Sequence, residues 1–144
     1  MTKSINEREL VLGILMEVVE GQRYSHIVLR EVLGKYQYLA KNERAFITRV
    51  TEGTLERMIE LDFIIDCFSK VKVSKMKPVI RNILRSAVYQ LKYMDQVPAS
   101  AVCNEAVKLA AKKGFVNLKG FVNGVLRSVA RKLEQITYPE MSVT

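Results

Sequence analysis

Apolar positions recur along this chain with helical spacing from end to end. Leu10, Val11, Ile14, Leu15, Val18 and Val19 form a first stripe. Ser4 or Asn6 is placed to cap it, and Gly21 to close it. Ile27, Val28, Val32, Leu33 and Tyr36 make a shorter second stripe. Phe46, Ile47, Val50, Thr54, Leu55 and Met58 make a third, which starts near Lys41 and Asn42. Residues 61–68 read as a short fourth helix with Asp62 and Asp66 on its wet side. After the polar stretch 69–77, Pro78 suits a first helical turn, where its missing N–H is harmless. The fifth stripe follows it through Val79, Ile83, Leu84, Ala87, Val88 and Leu91. Pro98 opens a sixth helix in the same way, and residues 118–133 make a seventh. No segment alternates with period two, so the pattern predicts an all-α bundle of about seven helices.

Between the last two helices runs KKGFVNLKGFVNGVL, in which GFVN occurs at 114–117 and again at 120–123. A period of six is too short for a structural repeat, which needs a supersecondary unit per period. A phosphate loop would need four residues between its glycines and then Lys with Ser or Thr; here there are five, and Phe121 follows. The copies therefore read as the end of one helix and the start of the next. Gly114 is expected to close the sixth helix in a left-handed conformation, with Lys112 and Lys113 favourably placed in its last turn. Asn117 is expected to cap the seventh helix, and Phe121, Val122 and Val125 to face the core.

The bulk composition narrows the class. The chain has 144 residues, of which 49% are hydrophobic. That is enough to bury a core without a disulfide or metal, and residues 1–135 read as one domain. Residues 136–144 read as a tail leaving it. No apolar run is long enough to span a membrane, and the N-terminus lacks the apolar core of a secretory signal. Cys67 and Cys103 stand apart, and His26 is the only histidine. No metal-ligand spacing or nucleophile–base set arises, and the expected compartment is the reducing cytoplasm.

Charge changes the picture. The net charge is +8, but residues 70–133 hold fourteen Lys or Arg against only Asp95 and Glu105, whereas residues 1–68 hold nine basic and eleven acidic residues. A segment so positive suits a polyanion, the alternative being a merely solubilising surface. On the helices, Arg81 and Arg85 are four apart, with Lys92 two turns on and Lys75 and Lys77 just before them. Arg127 and Arg131 are likewise four apart, with Lys119 at the start of their helix. Such pairs can grip successive phosphates or, alternatively, form internal salt bridges. Glu105 is the local acid available to Arg85 or Arg127.

Polar residues also interrupt apolar stripes. Asn104 and Glu105 in the sixth helix and Asn123 in the seventh are expected to tie helix ends together, with ligand contact the other reading. Gly124 carries a helix penalty that close helix packing would offset. Tyr89, Tyr93 and Phe115 belong to the core or stack on unpaired bases. Glu56 and Glu60 have the spacing of a solvated face.

These residues together carry a family resemblance. Ile83-Leu84-Arg85, Tyr89-Gln90-Leu91, Asp95-Gln96-Val97-Pro98, Asn104-Glu105-Ala106 and Phe121-Val122-Asn123-Gly124-Val125-Leu126-Arg127 resemble, in this order, NusB-like domains. Glu43-Arg44-Ala45-Phe46 and Gly53-Thr54-Leu55 fit the same pattern. One branch of the family is the stand-alone antitermination factor that binds boxA RNA with a ribosomal protein. The other is the N-terminal RNA-binding domain of the Sun/Fmu/RsmB rRNA cytosine-C5 methyltransferases. Leu84 to Leu91 and Val125-Leu126-Arg127 followed by Arg131 look more like the second branch. Of the first branch's N-terminal arginine cluster only Lys3 and Arg8 stand here.

The resemblance implies an all-α RNA-binding domain that docks small-subunit rRNA and has no catalysis of its own. S-adenosylmethionine and the catalytic cysteines would belong to a methyltransferase domain beyond the tail. Lys75, Lys77, Arg81, Arg85, Lys92, Lys112, Lys113, Lys119, Arg127 and Arg131 are the candidate RNA contacts. Asn104, Glu105, Phe121, Asn123 and Gly124 are the structural motif. A helical module meeting an acidic protein partner is the third reading.

Overall fold

The computed structural model describes residues 6–133; the predicted tail at 136–144 lies outside them. Among the described residues there are seven α-helices and no strand. They are α1 (Glu7–Leu15), α2 (Ser25–Lys35), α3 (Lys41–Glu56), α4 (Met58–Phe68), α5 (Pro78–Tyr93), α6 (Ala99–Lys112) and α7 (Lys119–Lys132). None is long and apolar enough to cross a membrane.

The boundaries follow local chemistry. The side chain of Asn6 accepts a hydrogen bond from the Arg8 amide at 2.7 Å, capping α1. α1 runs on into a π-helical turn, Met16–Glu20, before Gly21. Glu43 reaches back to the amide of Ala40 at 2.8 Å and satisfies a donor that the start of α3 would otherwise leave open. α4 begins at Met58, earlier than its apolar stripe indicates, because Arg57 alone breaks the helical backbone (φ −112°, ψ 24°). Pro78 is the first residue of α5, as expected, while Pro98 stands one position outside α6, as its N-cap.

Helix α5 is the axis of the bundle and packs against α1, α3, α4, α6 and α7. Its apolar residues Ile80, Ile83, Leu84, Ala87 and Val88 lie in one core with Ile14, Leu15, Ile47, Val50, Leu61, Ile64, Val102, Val122 and Leu126. Surrounded on so many sides, α5 also buries Asn82, Arg85, Ser86 and Gln90. A buried polar group without a partner costs roughly 1–3 kcal/mol, so these four dictate where other residues must come. Ser86 donates to the carbonyl of Ile83, and Gln90 Nε2 to that of Ser86. Gln90 Oε1 accepts from Arg8, whose guanidinium lies over the Phe46 ring. Asn82 and Arg85 call on acids from far along the chain.

The doubled GFVN resolves into two unlike pieces. Gly114 has φ +94°; its amide donates to Ala111, and the Phe115 amide to Ala110, which closes α6 as a Schellman turn. Phe115 packs against the core, whereas Val116 is exposed. A 3-10 turn at Val116–Leu118 then leads into α7, whose cap position is Leu118. Asn117 is therefore not the cap. The 3-10 turn displaces the helix start by one residue, and no side chain caps it. Val122 and Val125 are buried as expected, but Phe121 is only half-buried. Gly124 does not mediate close packing: it is exposed, with nothing within 4 Å of where a Cβ would lie.

Candidate nucleic-acid interface

The positive segment does not present all its charge to solvent, because acids from the first half of the chain reach across to it. The π-helical turn after α1 brings Glu20 to α5, where it accepts from Arg81 Nε at 2.9 Å and Nη2 at 2.7 Å, and from Asn82 Nδ2 at 2.8 Å. These bonds, Arg81 first, hold the Glu20 carboxyl below its usual range. Asp62 on α4 accepts from Arg85 Nε at 2.8 Å and Nη2 at 3.0 Å, and Arg85 Nη1 bonds Asn82 Oδ1 at 3.1 Å. Asp62 thus serves the core-facing arginine, not a wet helix face.

Glu60 pairs with Lys92 and accepts from the Tyr93 hydroxyl at 2.6 Å. Burial would raise its pKa, but Lys92 and Tyr93 outweigh that and lower it. Glu60 is thus no solvated-face acid. Tyr93 in turn stacks on the buried Tyr89 with ring centroids 5.2 Å apart, which commits Tyr89 to the interior. Glu9 of α1 takes Lys112 at 2.7 Å and Lys113 at 2.9 Å, which lower its pKa against the opposing effect of burial. Glu105 meets neither Arg85 nor Arg127; it contacts Lys108 at 3.5 Å and Asn6 at 3.4 Å.

Five of the ten candidate cations, Arg81, Arg85, Lys92, Lys112 and Lys113, are thus engaged in internal ion pairs. Arg85 is buried as well. Lys75, Lys77, Lys119, Arg127 and Arg131 form no ion pair among the described residues. The same holds for Lys70 and Lys72, which the pattern of paired positions did not single out.

Two of these lysines, Lys75 and Lys77, line one cleft. The 3-10 turn at Val73–Lys75 is fixed by the Val73 amide donating to Asp66 Oδ1 at 2.9 Å. It sets Lys75 and Lys77 beside the start of α5, opposite the start of α7. Between the two helix starts lies a cleft of about 190 Å³ lined by Val71, Lys75, Met76, Lys77, Ile80, Leu118 and Phe121. Its floor is apolar and its rim cationic, and Lys119, the first residue of α7, is next in sequence to the lining Leu118. The half-burial of Phe121 is explained here: one side of its ring serves the core and the other lines the cleft. Backbone N–H groups at helix starts add a favourable field for anions. A groove of this kind suits a phosphate backbone with an apolar or aromatic surface for a base.

Further along α7, Arg127 Nε donates to Asn123 Oδ1 at 3.1 Å and Nη2 to Asn104 Oδ1 at 2.9 Å. The two asparagines do link α6 to α7, but through the guanidinium between them. Cys103 is buried nearby, and burial raises its thiol pKa. Cys67 is exposed. No cluster of three potential metal ligands occurs among the described residues.

This architecture has known counterparts. Residues 5–131 match the model of the NusB family. The chain is 35% identical over 130 residues to the Bacillus subtilis protein named "Probable ribosomal RNA small subunit methyltransferase B", covering 90% of this chain but 29% of that protein. It is 33% identical to the transcription antitermination protein NusB of Pseudothermotoga lettingae, covering 91% of this chain and 93% of the relative. A crystal structure of antitermination factors NusB and NusE with double-stranded RNA contains a chain of the same fold, with TM-score 0.79, 21% identity and coverage of 87% and 93%. With a family match over nearly all the described residues and a relative 33% identical along 93% of its own length, the chain is a member of the NusB family.

Proposed function

We propose that this chain is an RNA-docking domain of the kind that accompanies small-subunit rRNA cytosine-C5 methyltransferases, without catalysis of its own. The observation that carries the reading is the cleft between the starts of α5 and α7, where Lys75 and Lys77, without an ion pair among the described residues, border an apolar floor and Lys119 opens α7 next to the lining Leu118. The kinship to a protein named as an rRNA methyltransferase, of which the chain spans 29%, supports rRNA as the ligand. On this reading S-adenosylmethionine and the transfer chemistry belong to a separate domain of a longer protein acting in the cytoplasm.

A second reading is favoured by one observation: the chain covers 93% of a NusB antitermination protein. It would then bind boxA RNA alongside a ribosomal protein. Filter binding to a 16S rRNA transcript and to a boxA oligonucleotide separates the two by preference. In either case affinity should fall steeply with salt, because each phosphate contact releases counterions. Replacing Lys75, Lys77 and Lys119 together by Gln should weaken binding and flatten that salt dependence, with the melting temperature unchanged. Salt-independent affinity, or full affinity in the triple variant, would refute the cleft as the RNA site.

A further inference from the structure

Arg127 differs from the other immobilised cations in what holds it. Arg81 faces Glu20 and Arg85 faces Asp62, so their charge is cancelled where they sit. Both acceptors of Arg127, Asn123 Oδ1 and Asn104 Oδ1, are neutral amide oxygens. Those oxygens must face the guanidinium, since an amide NH2 there would set donor against donor. No carboxylate among the described residues pairs with Arg127, and Glu105, next to Asn104, is turned to Lys108 and Asn6. Two of the five N–H donors of the fork are used, and the remainder are left with the full positive charge. The side chain is oriented without being neutralised.

Its position is as informative as its partners. Lys119, Asn123, Arg127 and Arg131 follow one another at intervals of four and form one row along α7. Twelve residues of helix span about 18 Å. The row begins at the lysine-rimmed cleft and ends at Arg131, which is exposed and unpaired among the described residues.

We propose that Arg127, positioned by Asn104 and Asn123, is a phosphodiester clamp, and that an RNA strand leaving the cleft runs along α7 past Arg127 to Arg131. This rests on the RNA-docking reading. A planar fork held in one orientation can meet two phosphate oxygens at once, which a flexible lysine cannot do. An aspartate in place of either asparagine would form an internal ion pair and remove the charge from the surface without altering the shape.

That isosteric change is the test. Asn123→Asp, Asn104→Asp, Arg127→Gln and Arg127→Lys are compared with the unaltered chain by filter binding to a 16S rRNA transcript across a salt series, with a thermal melt of each. The aspartate variants should melt at or above the unaltered chain, yet bind roughly tenfold more weakly. The slope of log affinity against log salt should become shallower by about one phosphate's worth. Arg127→Gln should match them, and Arg127→Lys should fall between. Asn104 is exposed, so Asn104→Asp keeps the test open should Asn123→Asp fold poorly. If both aspartate variants fold and bind like the unaltered chain while the triple lysine variant does not, the clamp is refuted and the docking reading stands. If the unaltered chain itself fails to bind at low salt (about 50 mM), both are refuted.

Discussion

Tyr89 of α5 lies against Gly53 of α3 with no room for a side chain: a Cβ added to Gly53 would sit 2.1 Å from Cζ of the ring and 2.4 Å from its Oη. The ring is buried and stacked on Tyr93, so it has nowhere to withdraw. Gly53→Ala should therefore destabilise the bundle by about 1–3 kcal/mol, the usual penalty of overpacking. Tyr89→Leu in the same chain should recover part of the loss, a non-additivity that urea titration of the two single variants and the double variant would reveal. A Gly53→Ala protein as stable as its parent would mean that the two helices are not this close.

Arg85 separates structure from binding. Its removal leaves Asp62 without its cation and Asn82 Oδ1 without a donor, in a site where Arg85 itself is only 7% exposed. Breaking such a pair by deleting one partner costs about 3–5 kcal/mol. Arg85→Ala should accordingly show a large drop in denaturant midpoint, whereas Lys77→Gln should stay within about 0.5 kcal/mol of the parent. Equal small effects would place Arg85 back on the surface as an available RNA contact.

The helices were legible because a 3.6-residue apolar period directly encodes the buried face, and Asn6, Pro78 and Gly114 mark ends by their own backbone chemistry. The site was legible only in part. Charge along the chain is local, but Glu20 meets Arg81 from 61 residues away, Glu60 meets Lys92 from 32 and Glu9 meets Lys112 from 103. Spacing shows which cations share a helix face and is silent on which acids arrive there. The cleft was also hidden, since it depends on the 3-10 turns at 73–75 and 116–118, which have no period to read. The one sequence signal for the free cations was the acid-poor run Lys70, Lys72, Lys75, Lys77 just before Pro78.

Acid should undo the cross-links between the halves. Glu9, Glu20 and Glu60 all have pKa values lowered in the folded chain. Each then stabilises the fold fully above the ordinary glutamate value and loses that contribution as pH falls through the lowered folded value. The melting temperature should be flat from neutral pH to about pH 5 and fall below roughly pH 4. In Glu20→Gln that fall should be shallower, from a lower starting point. An acid limb unchanged by this substitution would remove Glu20 from the account.

Three substitutions test the junction between α6 and α7. Gly114→Ala forces a side chain onto φ +94° and should cost at least about 1 kcal/mol. Asn117→Ala, at an exposed position that caps nothing, should stay within about 0.5 kcal/mol. Gly124→Ala, inside α7 with open space around it, should stabilise by up to about 1 kcal/mol. Thermal melts rank the three, and a destabilised Gly124→Ala would point to a partner that this surface of α7 contacts.

The long reach of these ion pairs gives meaning to the order in which the chain is made. Translation delivers the acidic half first, with Glu9, Glu20, Glu60 and Asp62 already present when α5 and α6 emerge. Arg81, Arg85, Lys92, Lys112 and Lys113 thus meet carboxylates of their own chain as they appear, next to the phosphate-rich RNA of the ribosome. A circularly permuted chain that began at residue 70 would expose fourteen cations before their partners existed. It should stall on RNA while folding, although its finished structure could be the same.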